Sequence, residues 1–219
     1  MYHGVVGYMF VPDNESTEDI IKEVWYENVY EIHPDYVKNS TVVDIGANFG
    51  AFSAWCASAG ASNVYSFEPM RQSYEVLRLN SFLHPSIQIF NSAVLDDGGF
   101  VEVFTSSDSD PGSTAVVASS DGGQIRSVSL NSVLRSIRED VAFLKVDAEG
   151  SEYDIFRAVD IDLLKKVKRI SMEFHGPSMY SFIDSGYFGT MIEKLAEWGT
   201  LRVIGRPSNG GFVHGVSYE

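Results

Sequence analysis

Val42-Val43-Asp44, an apolar strand run ending in an acid, passes through Ile45 straight into a loop of small residues, Gly46-Ala47-Asn48-Phe49-Gly50, that opens a helix. This arrangement constrains the fold more than any other feature of the chain. Gly46 and Gly50 permit φ angles and close approaches that a Cβ would block, and the helix that follows offers unpaired N–H groups and the positive end of its dipole. After a helix at Phe52 to Ala59 and a second apolar strand, Asn63-Val64-Tyr65-Ser66-Phe67, comes Glu68. It lies about 20 residues beyond the loop, where nucleotide-binding folds place an acid that grips ribose hydroxyls. Together the two signals point to a cofactor that contains a nucleoside.

Departures from the dinucleotide fingerprint narrow the choice. That fingerprint reads G-x-G-x-x-G, and its middle glycine lets the backbone approach a pyrophosphate. Here the spacing is D-x-G-x-N-x-G, with Asn48 at the middle glycine and Asp44 as the acid. A carboxylate facing the ligand suits an ammonium or a sulfonium better than a pyrophosphate. S-adenosylmethionine carries both cations and a ribose, so it fits where a nicotinamide dinucleotide does not.

The 219 residues, 44% of them hydrophobic, predict one domain with a full core: residues 1–41 as a covering segment and 42–219 as the cofactor-binding part. The one cysteine, Cys56, lies on an apolar helix and is expected to be buried. No run reaches the roughly 18 apolar residues of a membrane span, and the amino terminus lacks the basic start of a secretory signal. The expectation is a cytoplasmic protein without a membrane partner. The net charge of −14 argues against nucleic acid. The one basic cluster, Lys165-Lys166-Val167-Lys168-Arg169, is read as the end of a helix, where cations complement the dipole.

From Val42 onward strand-like and helical runs alternate, the pattern of an α/β sheet. Strands are expected near Val42 to Ile45, Val64 to Phe67, Ile87 to Asn91, Phe143 to Val146 and Ile170 to Phe174. Helices are expected at Phe52 to Ala59, Gln72 to Phe82, Leu130 to Ile137, Tyr153 to Lys166 and Tyr187 to Trp198. Asp97-Gly98-Gly99 gives a hairpin signal within Ala93 to Phe104, and Ser106 to Gly123 reads as a long loop, either a cover over substrate or solvated decoration. Leu201 to Gly205 and Phe212 to Val216 flank a turn and predict an antiparallel hairpin. The fold class is therefore a Rossmann-like, mostly parallel sheet with a carboxyl-terminal antiparallel hairpin, which separates class I methyltransferases from NAD-binding folds.

Val43 to Gly50, Phe67-Glu68-Pro69, Asn91-Ser92-Ala93-Val94, Leu144 to Glu152 and Met172-Glu173-Phe174-His175 resemble the successive blocks of the FkbM-type methyltransferases. The most specific is Asp147-Ala148-Glu149-Gly150-Ser151-Glu152. The resemblance runs from Val42 to His175 and implies use of S-adenosylmethionine to methylate hydroxyls on sugars, glycans or small metabolites. It also implies that Gly46, Asn48 and Gly50 shape the cofactor loop and that Asp44 faces the methionine end. Glu68, beside Pro69, would hold the ribose, Ser92 and Ala93 would lie along the adenine, and Asp147 would approach the amino group.

Methylation of an alcohol needs a base for its proton. Glu149, Glu152, Glu173 and His175 are the candidates. His175 is the first choice because its ordinary pKa suits the task, and Glu149 is the substitute. Glu149 and Glu152 could equally stabilise a helix start. With Asp147 these residues could ligate Mg²⁺, but no metal is expected. Trp25, Tyr26, Tyr30 and Tyr36 are read as core covering for the sheet, with a lid over the cofactor as the alternative. Two readings of other classes are a nicotinamide oxidoreductase and a non-catalytic nucleoside-binding module.

Overall fold

The computed structural model describes residues 2–4, 7–12, 16–95, 97, 99–105, 114–119, 125–181, 183–184 and 186–218. An antiparallel pair, β1 (Tyr2–Gly4) and β2 (Gly7–Met9), precedes α1 (Ser16–Ile21), a π-helical segment (Lys22–Glu27) and α2 (Pro34–Val37). Then come β3 (Thr41–Ile45), α3 (Ala51–Ser58), β4 (Asn63–Phe67), α4 (Arg71–Leu83) and β5 (Ile87–Phe90), the expected alternation. Four strands, β6 (Ser92–Val94), β7 (Phe100–Thr105), β8 (Thr114–Ser119) and β9 (Ile125–Val128), form a second sheet. The chain continues through α5 (Leu130–Ser136), β10 (Val141–Val146), α6 (Glu152–Ala158), α7 (Ile161–Leu164), β11 (Arg169–His175) and α8 (Gly186–Trp198). It ends in β12 (Gly199–Arg206) and β13 (Gly210–Ser217).

The main sheet has the order β12-β13-β11-β10-β3-β4-β5. Its strands run parallel except β13, which is antiparallel to both β11 and β12. The direction of winding reverses between β3 and β10, and open α/β sheets bind ligands outside the carboxyl ends of strands at such a point. Thr41 to Ile45 are buried throughout, as a central parallel strand covered on both faces must be. One apolar cluster, with Val43, Leu144, Phe156 and Trp198, fills the side covered by α5 to α8. The other, with Val42, Phe52, Cys56 and Phe143, lies on the opposite side and includes Ile21, Val24 and Tyr30 from the chain before β3. Among the described residues no helix is long and apolar enough to cross a membrane.

One row of the sheet is polar. Ser66 on β4, Asp44 on β3, Lys145 on β10, Ser171 on β11 and His214 on β13 stand opposite one another in register. Asp44 Oδ2 accepts from Ser53 Oγ at 2.6 Å, and that hydroxyl meets Ser66 Oγ at 2.7 Å. Lys145 Nζ lies 3.4 Å from Asp44 Oδ1, and Ser171 Oγ is 3.0 Å from His214 Nδ1.

Three expectations are corrected. The helix read over Tyr153 to Lys166 is two helices: Val159 and Asp160 are extended, and the Asp160 side chain accepts from Asp162 N to start α7 afresh. Among the described residues β6 and β7 do not pair as a hairpin, and Gly98 of the turn signal lies outside them. β6 pairs in parallel with β9, and β7 pairs with β8, whose connection lies outside the described residues. Asp97 serves α5 instead, accepting from Ser129 N and Ser129 Oγ. Of the expected loop Ser106 to Gly123, Thr114–Ser119 is strand and the rest lies outside the described residues. The basic cluster straddles a helix end and a strand. Lys165 pairs with Asp162, Lys166 donates to Leu134 and Ile137 carbonyls at the end of α5, and Arg169 stacks on Tyr36 at 3.9 Å. Of the four aromatics read as core, Tyr30 is buried, Trp25 and Tyr36 are half-buried and Tyr26 is exposed.

Candidate functional site

At the carboxyl ends of β3 and β10 two backbones nearly touch. A Cβ on Gly46, whose φ is +73°, would lie 1.7 Å from the carbonyl oxygen of Asp147. Gly46 N and Ala47 N both donate to Phe67 O at 3.0 Å, tying the loop to β4. Asn48 follows with φ +50°, and Gly50, at φ +93°, caps α3. This left-handed path turns Asn48 N toward Glu68, whose Oε2 accepts it at 2.7 Å while Oε1 accepts Met70 N at 2.7 Å. Asn91 Nδ2 donates to the carbonyls of Glu68 and Pro69 and fixes that turn. Burial pushes the Glu68 carboxyl up to about 7, against the pull of the two amides.

Two cavities open here. The first, about 630 Å³ with its mouth, is walled by Gly46, Asn48, Phe67, Glu68, Pro69 and Met70 on one side and by Ala93, Val94, Asp147 and Glu149 on the other. The second, about 930 Å³, shares Gly46, Asn48, Asp147 and Glu149 with it and adds Glu23, Tyr30, Lys145, Glu173 and His175. Six expected cofactor residues, Gly46, Asn48, Glu68, Pro69, Ala93 and Asp147, thus line the first cavity. Gly50 shapes the loop from behind, packed against Leu77. Two expected residues are displaced from the wall. Asp44 is fully buried and faces Ser53 and Lys145, and Ser92 is buried in the β6–β9 ladder, where Val94 takes the place beside Ala93.

Asp147 Oδ2 accepts from Tyr30 OH at 3.0 Å and lies 3.5 Å from Lys145 Nζ. Its Oδ1 is buried without a hydrogen-bond partner. Such an oxygen, on the wall shared by both cavities, fits an ammonium donor of the kind that S-adenosylmethionine carries. Lys145 itself donates to Gly46 O at 2.6 Å. Burial opposes its charge, but Asp44 and Asp147 outweigh burial and hold its pKa above the ordinary lysine value. Lys145 is not among the site residues expected from the sequence, and Tyr30 was expected as core or as part of a lid. The available signal was a lysine inside an apolar strand, two residues before Asp147 and so on the same face.

His175 is clamped. Nδ1 is 3.1 Å from Glu152 Oε1 and Nε2 is 3.2 Å from Glu149 Oε2, with Glu173 Oε1 at 4.0 Å. Burial alone would lower its pKa, but Glu152, Glu149 and Asp147 overcome burial and raise it to about 10. Both ring nitrogens of His175, the residue expected as the base, are thus engaged by carboxylates, and in its imidazolium form the ring has no lone pair to offer. Glu152 also accepts from Ala148 N and Gly150 N, holding the loop that presents Glu149. Glu149 accepts from Tyr180 OH, and burial and the charge of Asp147 push its pKa to about 8. Glu173 is likewise raised to about 8, by burial and then by Asp147. Ligand atoms of Asp147, Glu149 and His175 lie within 4.8 Å of one another, a spacing that could hold a cation if His175 gave up its proton.

Comparison with known proteins agrees with this geometry. Residues 44–201 match the methyltransferase FkbM domain. The crystal structure of methyltransferase FkbM from Methylobacillus flagellatus KT superposes with a TM-score of 0.51 over 86% of this chain and 46% of that one, a likeness of fold at 13% identity. Methyltransferase 1 of Beauveria bassiana is 24% identical over 172 residues, 66% of this chain and 68% of the relative. Protein arginine N-methyltransferase 1.1 of Arabidopsis thaliana is 32% identical over 71 residues, 31% of this chain. This chain covers 18% of that protein's length.

Proposed function

Because the chain belongs to the FkbM methyltransferase family, we propose that it moves a methyl group from S-adenosylmethionine to a hydroxyl of a sugar, glycan or small metabolite. The observation that carries this reading is the pair of cavities meeting at Gly46, Asn48, Asp147 and Glu149, with an unpartnered buried oxygen of Asp147 at the junction. Glu68 would hold the ribose hydroxyls, and Ala93, Val94 and Phe67 would flank the adenine. Asp147 Oδ1 would accept from the amino group. When bound, the cofactor supplies an electrophilic methyl on a sulfonium. The chain must hold the acceptor oxygen in line with it and take the proton that the oxygen loses.

Glu149 is the base in this reading. It lines both cavities, and a pKa of about 8 matches proton transfer near neutrality. His175 is a positioning residue, donating from Nε2 to hold the Glu149 carboxylate while Glu152 anchors Nδ1. The reaction rate should rise with pH as Glu149 loses its proton, levelling above about pH 8.

Two variants test the assignment. Glu68→Ala should weaken S-adenosylhomocysteine binding in calorimetry by about 1.5–3 kcal/mol, the range for a hydrogen bond to a charged group. Preferential binding of NAD by the parent would overturn the cofactor. Glu149→Gln should lower methyl uptake by sugars and hydroxylated metabolites by about 10²–10⁴-fold at unchanged cofactor affinity. Loss of the parent's activity in a chelator would move the role to a cation held by Asp147, Glu149 and His175.

A further inference from the structure

The second cavity is lined by Asp19, Glu23, Asp147, Glu149 and Glu173, against two cationic side chains, Lys145 and His175. Both cations are already engaged. Lys145 faces Asp44 and Asp147 and donates to the Gly46 carbonyl, and His175 lies between Glu149 and Glu152. Among the described residues, no cation comes within ion-pair distance of Asp19 or Glu23, and Glu173 meets one only at 4.0 Å, from His175. Like charges gathered on one concave wall repel, and burial strengthens the repulsion. A neutral polyol would leave this repulsion in place, and a phosphorylated or nucleotide-linked sugar would add to it. Of the cofactor's two cations, the ammonium would answer Asp147 and the sulfonium would meet the acceptor oxygen near Glu149, which leaves Glu23 and Glu173 over.

We propose that the acceptor is a cation, an amine-bearing polyhydroxyl compound whose ammonium sits against Glu23 and Glu173 while one of its hydroxyls faces Glu149. This inference rests on the methyltransferase reading of the same site and names the substrate class. Charge complementarity of this kind selects among partners more than it adds affinity, because the wrong charge is penalised. Tyr30 and Phe52, on the same cavity wall, offer apolar faces to the carbon skeleton.

The test is calorimetry with glucosamine and 2-deoxystreptamine, each against its N-acetylated, uncharged form, on protein saturated with S-adenosylhomocysteine. The amines should bind at least about tenfold more tightly than the acetylated forms. Glu173→Gln should remove most of that preference. Glu23→Gln, an exposed side chain on the π-helical segment, should reduce it too and guards against misfolding of the first variant. Equal binding of amine and acetylated forms, or no binding of either amine at millimolar concentration by protein that holds S-adenosylhomocysteine, overturns the cationic acceptor and leaves the methyltransferase reading standing. Amine binding by a protein that takes no S-adenosylhomocysteine supports the cation site and overturns the cofactor instead.

Discussion

A methyl group added at Gly46 would overlap the Asp147 carbonyl, and the φ of +73° is one that L side chains rarely adopt. Gly46→Ala must therefore part the ends of β3 and β10. It should cost about 1–3 kcal/mol in urea denaturation and weaken S-adenosylhomocysteine binding at least about 10²-fold. Unchanged binding would show that this turn is not the contact. The turn at Gly46 was legible because it is local: strand, glycine and helix follow one another in the chain. The states of Asp44 and His175 were not. Asp44 meets Lys145 only once β3 and β10 pair, and the charge of His175 is set by Glu149, Glu152 and Asp147, which no reading of its own strand reveals. An ordinary histidine pKa was the natural starting point, and three carboxylates from the β10–α6 junction displace it.

Among the elements, those with a clear hydrophobic period and a sharp ending came out of the sequence close to their observed bounds, as β3, β4, α4 and the β12–β13 hairpin illustrate. The break between α6 and α7 was missed because Asp160 looks like an ordinary polar helix residue until its side chain is seen capping Asp162 N. Pairing within the second sheet was missed because β6 and β9 are distant in sequence, and a nearby turn signal is no guide to a parallel partner. The polar row across the main sheet gives a prediction at this scale. Lys145→Met should destabilise the fold by about 3–5 kcal/mol, since it strands the buried Asp44 carboxylate. Adding Asp44→Asn should restore a substantial part of that loss in chemical denaturation, whereas simple additivity of the two losses would show that the pair is not coupled.

For the molecule as a whole, the raised carboxyls set the response to pH. Glu68 at about 7 and Glu149 and Glu173 at about 8 hold protons in the fold that the unfolded chain releases near 4.5. Stability they confer is present below about pH 4.5 and is lost as pH rises through 7 to 8. His175, raised to about 10 from 6.5, adds stability that is complete below 6.5 and lost as pH climbs through 10. The lowered carboxyls Glu31, Glu75, Asp97 and Asp162 act below about pH 4.5 and do not enter this window, whereas His214, lowered from 6.5 by burial, opposes the trend at its acid end, one group against four. Protein without ligand should therefore melt at a higher temperature at pH 5.5 than at pH 8.5, by several degrees in scanning calorimetry. A midpoint that rises across that interval would contradict the protonation states derived for the site.

The row of Ser66, Asp44, Lys145, Ser171 and His214 has one more effect, on assembly. β3 is buried on both faces and β10 nearly so, and strands of that kind fit many alignments almost equally well. A slip of one residue would carry Lys145 through to the opposite face, among the neighbours of Leu144 and Val146, out of reach of Asp44 and of the Gly46 carbonyl. The charged pair thus works as a registration mark: among the alignments open to a greasy sheet it accepts one, and that one brings the glycine turn of β3 level with the acid of β10.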